Sequence, residues 1–179
     1  KEAFPRYHIG ESMTGECGGI LRDLGLEPAM QQAGHPNKQG VRVFGGDGAT
    51  YDIGLQALSG ALERGHDFLY VCLDNEAYMN TGNQRSGATP FCANTTTAPA
   101  GKASQGKTEL KKDLIKIAVA HNIPYAAQAS VGNWPDLANK AEKAFTIKGP
   151  KLLLVYSPCT TLWGFNSKST VDLAKMAIE

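Results

Sequence analysis

Two almost unbroken apolar runs, residues 68–73 and 152–156, constrain the fold more than any other feature of the chain. A strand that is apolar on every side chain must be covered on both faces, as happens in a parallel sheet between helices. The neighbouring stretches carry helical spacing instead. Ile53, Ala57, Leu58, Ala61 and Leu62 fall on one face, with Asp52 as the expected N-cap and Gly65 placed to end the helix. Leu110, Leu114, Ile117, Ala118 and His121 trace a second helix with a lysine-rich outer face, and Leu137, Ala141 and Ala144 trace a third over residues 134–147. Residues 41–44 and 123–129 read as further strands, and residues 170–178 as a closing helix. The expected class is therefore α/β, a parallel sheet with helices on both faces. Ligands in such sheets bind outside the carboxyl ends of the strands, which here means residues 45–48 and 74–80. Residues 75–106 have no sustained period, and a connection of that length in a compact domain is usually a functional loop.

Composition narrows the partners. Apolar residues make up 42% and charged residues 20%, with a formal net charge of +1, so neither nucleic acid nor an anionic membrane is expected. No apolar run approaches the roughly 18 residues of a membrane span, and no secretory signal pattern opens the sequence. Cys17, Cys72, Cys92 and Cys159 include no C-x-x-C pair, which points to thiols kept reduced in the cytoplasm rather than to a disulfide framework.

The chemistry concentrates at two strand ends. Gly46-Asp47-Gly48 follows one strand and precedes a helix, so its backbone can approach a ligand closely and offer N–H groups to phosphate. Asp74-Asn75 closes the next strand, and a βαβ connection brings the two ends together. A carboxylate at Asp47 and an amide at Asn75, with a nearby carbonyl, would suit Mg²⁺, which takes oxygen ligands and usually shares them with phosphates. A pair of structural turns is the competing reading of the same residues.

The residues also carry a resemblance. GGDGATYDIGLQALSGALERGHDFLYVCLDNEAYMNTGNQRSGATPF, starting at Gly45, resembles the thiamine diphosphate-binding part of 2-oxoacid:ferredoxin oxidoreductases, the pyruvate type above all. TTTAPAGK, KKDL, HNIPYAAQAS and SPCTTLWGF extend the similarity to Phe165. The resemblance implies a thiamine diphosphate-binding fold with Asp47, Asn75 and the Ala77 carbonyl as Mg²⁺ ligands. It implies that Gly46, Asp47, Gly48 and Asp52 lie in the cofactor-binding segment, and that Tyr78, Asn80 and Thr81 shape the loop against the cofactor. Asn80, near the reacting carbon, is the implied catalytic residue. The implied reaction converts pyruvate to acetyl-CoA, with thiamine diphosphate as electron sink, electrons leaving through iron–sulfur clusters to ferredoxin, and coenzyme A taking the acyl group. A companion subunit would supply the glutamate that activates the cofactor. Cys159 matches a family ligand of a [4Fe–4S] cluster, but such clusters need four thiolates and the family's other cysteine motifs have no counterpart here.

Residues 1–40 have a different texture and form an atypical N-terminal segment ahead of a domain at 41–179. Up to about residue 45 they resemble a fragment of a flavin-dependent halogenase, most of all at Tyr7-His8-Ile9-Gly10-Glu11-Ser12, although no G-x-G-x-x-G flavin fingerprint is present. Three readings result: an oxidoreductase subunit, a halogenase fragment, and an inactive module that binds Mg²⁺ and diphosphate for assembly.

Overall fold

A computed structural model describes residues 41–178, and Arg42–Glu179 cluster as one compact unit. The expectations for the N-terminal segment fall outside the described residues. Four strands form one sheet: β1 (Val41–Gly46), β2 (Phe68–Asp74), β3 (Tyr125–Ser130) and β4 (Pro150–Tyr156), in the order β1-β2-β4-β3. β4 runs parallel to β2, with Val71 opposite Leu153, and parallel to β3, with Ala127 opposite Leu153. Helices α1 (Leu55–Glu63), α2 (Leu114–Val119), α3 (Trp134–Thr146), α4 (Thr160–Trp163) and α5 (Thr170–Met176) complete the described elements, with a π-helical turn at Ala49–Ile53 and a 3₁₀ turn at Ser167–Ser169.

The sheet is a core on both sides because β2 and β4 are apolar at consecutive positions. Leu69, Val71, Leu153 and Val155 meet Ala144 on one face, with Leu137 and Ala141 of α3 packed against them. Leu152 and Leu154 alternate to the opposite face and are equally buried, as are Leu58 and Leu62 of α1 and Leu114 and Ala118 of α2. Side chains two apart on a strand share a face, so this alternation requires helices on both. The expected class therefore holds.

Local signals set most of the boundaries. Asp113 caps α2 by accepting from the Lys116 N–H at 2.9 Å, and Asn133 caps α3 by accepting from the Asp136 N–H at 3.3 Å, with Pro135 in the first turn. Gly65 stops α1 with φ of +70°, the left-handed conformation glycine adopts without strain.

Three expectations need correction. α2 begins at Leu114 rather than near residue 110, and Leu110 is 80% exposed. Ile53 is also 80% exposed, while Tyr51 is buried, because the π turn adds a residue and rotates the apolar set. Asp52 does not cap α1; it lies inside the π turn, and Gly54 holds the cap position.

The central position of Leu153 generates a stability prediction. Leu153→Ala should lower the unfolding free energy by about 3 kcal/mol. The loss should register as a lower denaturant midpoint with an unchanged slope.

Candidate functional site

The strand tips predicted to hold a ligand come together. β1 passes directly into helical backbone at Asp47 and Gly48, followed by the π turn. Thr50 secures this junction by donating from Oγ1 to the Gly46 carbonyl at 2.7 Å, and it also lies 3.0 Å from the Tyr70 hydroxyl. A Cβ at Gly45 would collide with that hydroxyl, and one at Gly48 would stand 2.5 Å from the Tyr78 ring. Among the described residues, a Cβ at Gly46 would meet nothing within 4 Å. Glycine is therefore favoured at positions 45 and 48 by close packing, while none of the described residues covers Gly46 on that side.

Asp47 is 1% exposed. Its Oδ1 accepts from the Asn75 backbone N–H at 3.3 Å, and its Oδ2 accepts from the Ser86 hydroxyl at 2.5 Å. One terminal atom of the Asn75 amide lies 2.8 Å from Asp47 Oδ1 and 2.8 Å from the Ala77 carbonyl oxygen. As nitrogen, that atom donates to both. As oxygen, it completes three converging acceptors that need a cation between them. Six oxygens at the Mg²⁺ distance of 2.0–2.1 Å stand about 2.9 Å apart along octahedral edges, so the spacing suits that ion. The donor set therefore fits Mg²⁺. Among the described residues no three His, Cys, Asp or Glu side chains gather to hold a metal, and this set differs in having one carboxylate, one amide and one carbonyl.

Two lysines neutralise the carboxylates around it. Lys111 Nζ lies 2.7 Å from Asp74 Oδ2 and 3.1 Å from Glu76 Oε1. Burial works against its charge, but Asp74 and Glu76 outweigh burial and hold the Lys111 pKa above its ordinary range. Lys112 Nζ lies 2.7 Å from Asp52 Oδ1 and 2.6 Å from the Tyr51 carbonyl. Burial alone would raise the Asp52 pKa, yet donors from Lys112, the Gly87 N–H and the Tyr78 hydroxyl keep it below the usual carboxylate range. Among the described residues Asp47 has no such cation. Burial, with Asp74 adding repulsion, pushes its pKa up to about 6, although the Ser86 hydroxyl opposes the shift.

The remaining expected residues divide. Tyr78 joins the site, its ring against Gly48 and its hydroxyl 3.3 Å from Asp52 Oδ2. Asn80 and Thr81 are exposed, and Thr81 bonds Gln84 at 2.5 Å rather than a site residue. Cys159 is a partly exposed free thiol at the start of α4. Sequence reasoning gave no role to Ser86, Thr89, Lys111 or Lys112. They lie within the strings SGAT and KKDL, in a segment without periodicity, where nothing in the residues themselves marks which side chain turns inward.

By fold, then, the chain is an α/β domain that carries its ligand surface at the strand tips. The family model described as "Thiamine pyrophosphate enzyme, C-terminal TPP binding domain" matches residues 19–155, and the chain belongs to that family. The match starts upstream of residue 41, and the halogenase resemblance is not borne out. A pyruvate synthase subunit PorB of Methanosarcina barkeri is 52% identical over 155 residues, covering 87% of this chain and 52% of that protein. The PorB of Thermotoga maritima is 57% identical over 137 residues, covering 76% and 42%. A ketoisovalerate oxidoreductase subunit VorB of Pyrococcus abyssi is 48% identical over 159 residues, covering 87% and 51%. Among solved structures, 2-oxoglutarate:ferredoxin oxidoreductase from Magnetococcus marinus superposes with a TM-score of 0.64 at 27% identity, over 83% of this chain and 48% of that one. The chain thus spans about half the length of the relatives it matches.

The raised Asp47 pKa generates a prediction for the metal-free chain. The folded state holds this proton more tightly than the unfolded state, whose carboxyl has the ordinary value of 3.8. The destabilising effect of the Asp47 charge is absent below pH 3.8, grows as pH rises, and is complete above about 6. Asp47→Asn should therefore melt higher than wild type at pH 7.5 without metal, and the difference should close as pH falls through this window. Thermal melts across pH check it.

Proposed function

We propose that the chain is the cofactor-binding part of a 2-oxoacid:ferredoxin oxidoreductase that converts pyruvate to acetyl-CoA and passes electrons to ferredoxin. The observation that carries the reading is the convergence of the Asp47 carboxylate, the Asn75 amide and the Ala77 carbonyl beside Gly46, whose Cβ position meets none of the described residues. Identity of about half to the pyruvate synthase subunits supports it. The similarity to a ketoisovalerate oxidoreductase subunit supports a substrate of the 2-oxoacid class.

In this reading Asp47, Asn75 and Ala77 hold Mg²⁺, while Gly46, Gly48 and the start of the following helix bind the diphosphate. Thiamine diphosphate, when bound, supplies the electron sink for decarboxylation. Thr50 and Tyr70 keep the β1 tip in register through the Gly46 carbonyl. Tyr78, fixed by Asp52 and packed on Gly48, sets how closely the 75–81 loop approaches the cofactor, with Asn80 and Thr81 presented at its exposed end. Companion subunits would contribute the activating glutamate, ferredoxin would take the electrons, and coenzyme A would take the acyl group. A [4Fe–4S] cluster at Cys159 would need three more thiolates, and among the described residues no such group of cysteines gathers there. The described cysteines, Cys72, Cys92 and Cys159, are unpaired, which suits a reducing cytoplasm. No helix among the described residues is long and apolar enough to cross a membrane.

Calorimetric titration with thiamine diphosphate tests the proposal. Binding should require Mg²⁺ and weaken by about 100-fold or more in Asp47→Ala, the loss expected when a metal site is deprived of its charged ligand. Binding that is equally tight without Mg²⁺, or in the variant, would refute it. Gly48→Ala gives a second check: the added methyl must displace the Tyr78 ring, so binding should fall although Mg²⁺ and its ligands are intact.

A further inference from the structure

The Ser86–Thr89 segment touches both halves of the Asp47, Asn75 and Ala77 set. Ser86, 0% exposed, donates from Oγ to Asp47 Oδ2 at 2.5 Å. Its oxygen accepts from the Ala88 N–H at 3.1 Å, so its single proton is committed to the carboxylate. The Ser86 N–H donates to Thr89 Oγ1 at 2.9 Å, and the Thr89 hydroxyl donates to the Glu76 carbonyl at 2.5 Å. Glu76 lies between Asn75 and Ala77 with φ of +69°, a left-handed conformation that costs a non-glycine residue energy unless its surroundings hold it. The Lys107 ammonium, itself buried, donates to the Thr89 carbonyl at 2.5 Å and anchors the segment from behind.

One consequence is that the two Asp47 oxygens differ. Oδ1 accepts from the Asn75 backbone N–H and lies 2.8 Å from the Asn75 amide, while Oδ2 is occupied by a hydroxyl whose donor direction is fixed. Mg²⁺ requires only one oxygen from such a carboxylate, whereas Ca²⁺ at 2.3–2.6 Å takes 6–8 ligands and often uses a carboxylate bidentately. A six-oxygen shell at a radius of about 2.4 Å needs edges of about 3.4 Å, wider than the 2.8 Å spacing found here. For Ca²⁺ to fit, the coordination number must rise, and bidentate use of Asp47 would recruit Oδ2.

We propose that Ser86 is a specificity-determining positioning residue that restricts Asp47 to one-oxygen coordination and so selects Mg²⁺ over Ca²⁺. This rests on the metal role proposed for Asp47, Asn75 and Ala77. Calorimetry on the full chain with thiamine diphosphate present, using Mg²⁺ and Ca²⁺ in separate titrations, tests it. In Ser86→Ala the ratio of Mg²⁺ to Ca²⁺ affinity should shift by about tenfold toward Ca²⁺, a typical effect of removing a group that orients a metal ligand. Ser86→Thr, which keeps the hydroxyl, should retain the wild-type ratio. An unchanged ratio in Ser86→Ala, whether or not both affinities fall, overturns the selectivity role and leaves the metal site standing. A wild-type chain that binds neither ion overturns the metal site and this proposal with it. If Ser86→Ala does not fold, Ser86→Cys replaces it: its weakly donating thiol should move the ratio the same way, and an unmoved ratio overturns the proposal.

Discussion

A buried carboxylate with no cationic partner among the described residues is the constraint around which they are organised. Asp47 follows directly on β1, is almost wholly buried, and meets the Asn75 amide, which also meets the Ala77 carbonyl. An ionised carboxylate in such surroundings is costly unless paired or bound to a metal. Asp74 and Asp52, its neighbours, each have a lysine within 2.7 Å. The different treatment of Asp47 is the reason to regard its position as a binding feature rather than a packing accident.

The rest of the molecule serves that geometry. Neighbouring places in the sheet set β1 beside β2, with Asp47 within hydrogen-bond reach of Asn75, and apolar side chains of α1, α2 and α3 fill the two faces. The long connection between β2 and α2 wraps the site, bringing Ser86 and Lys111 to carboxylates 39 and 37 residues away in sequence. Adjacent lysines at 111 and 112 reach separate carboxylates, Asp74 and Asp52, on the two sides of the site. Lys107 is buried without a carboxylate and bonds two carbonyls, so its role is to brace the loop rather than balance charge.

The sheet was legible because nearly continuous apolar runs leave few alternatives, as at residues 68–73 and 152–156. Asp47 and Asn75 were legible because short motifs at strand ends carry their own spacing. Ile53, Asp52 and Leu110 were misplaced for a shared reason: periodicity reports a face but not where the helix starts. The five-residue π turn changed the phase in one case, and the Asp113 cap delayed α2 in the other. Ser86 and Thr89 were beyond reach because their partners lie in other segments and nothing in an aperiodic loop marks which hydroxyl turns inward.

The account depends on one divalent ion joining Asp47 to a diphosphate. Electron–nuclear double resonance on the chain loaded with Mn²⁺ and thiamine diphosphate reads that link directly, because a strong isotropic ³¹P coupling requires a phosphate oxygen bonded to the ion. Strong ³¹P coupling in the wild-type chain that disappears in Asp47→Ala is the predicted result. Equal coupling in Asp47→Ala, or none in wild type, would contradict the account.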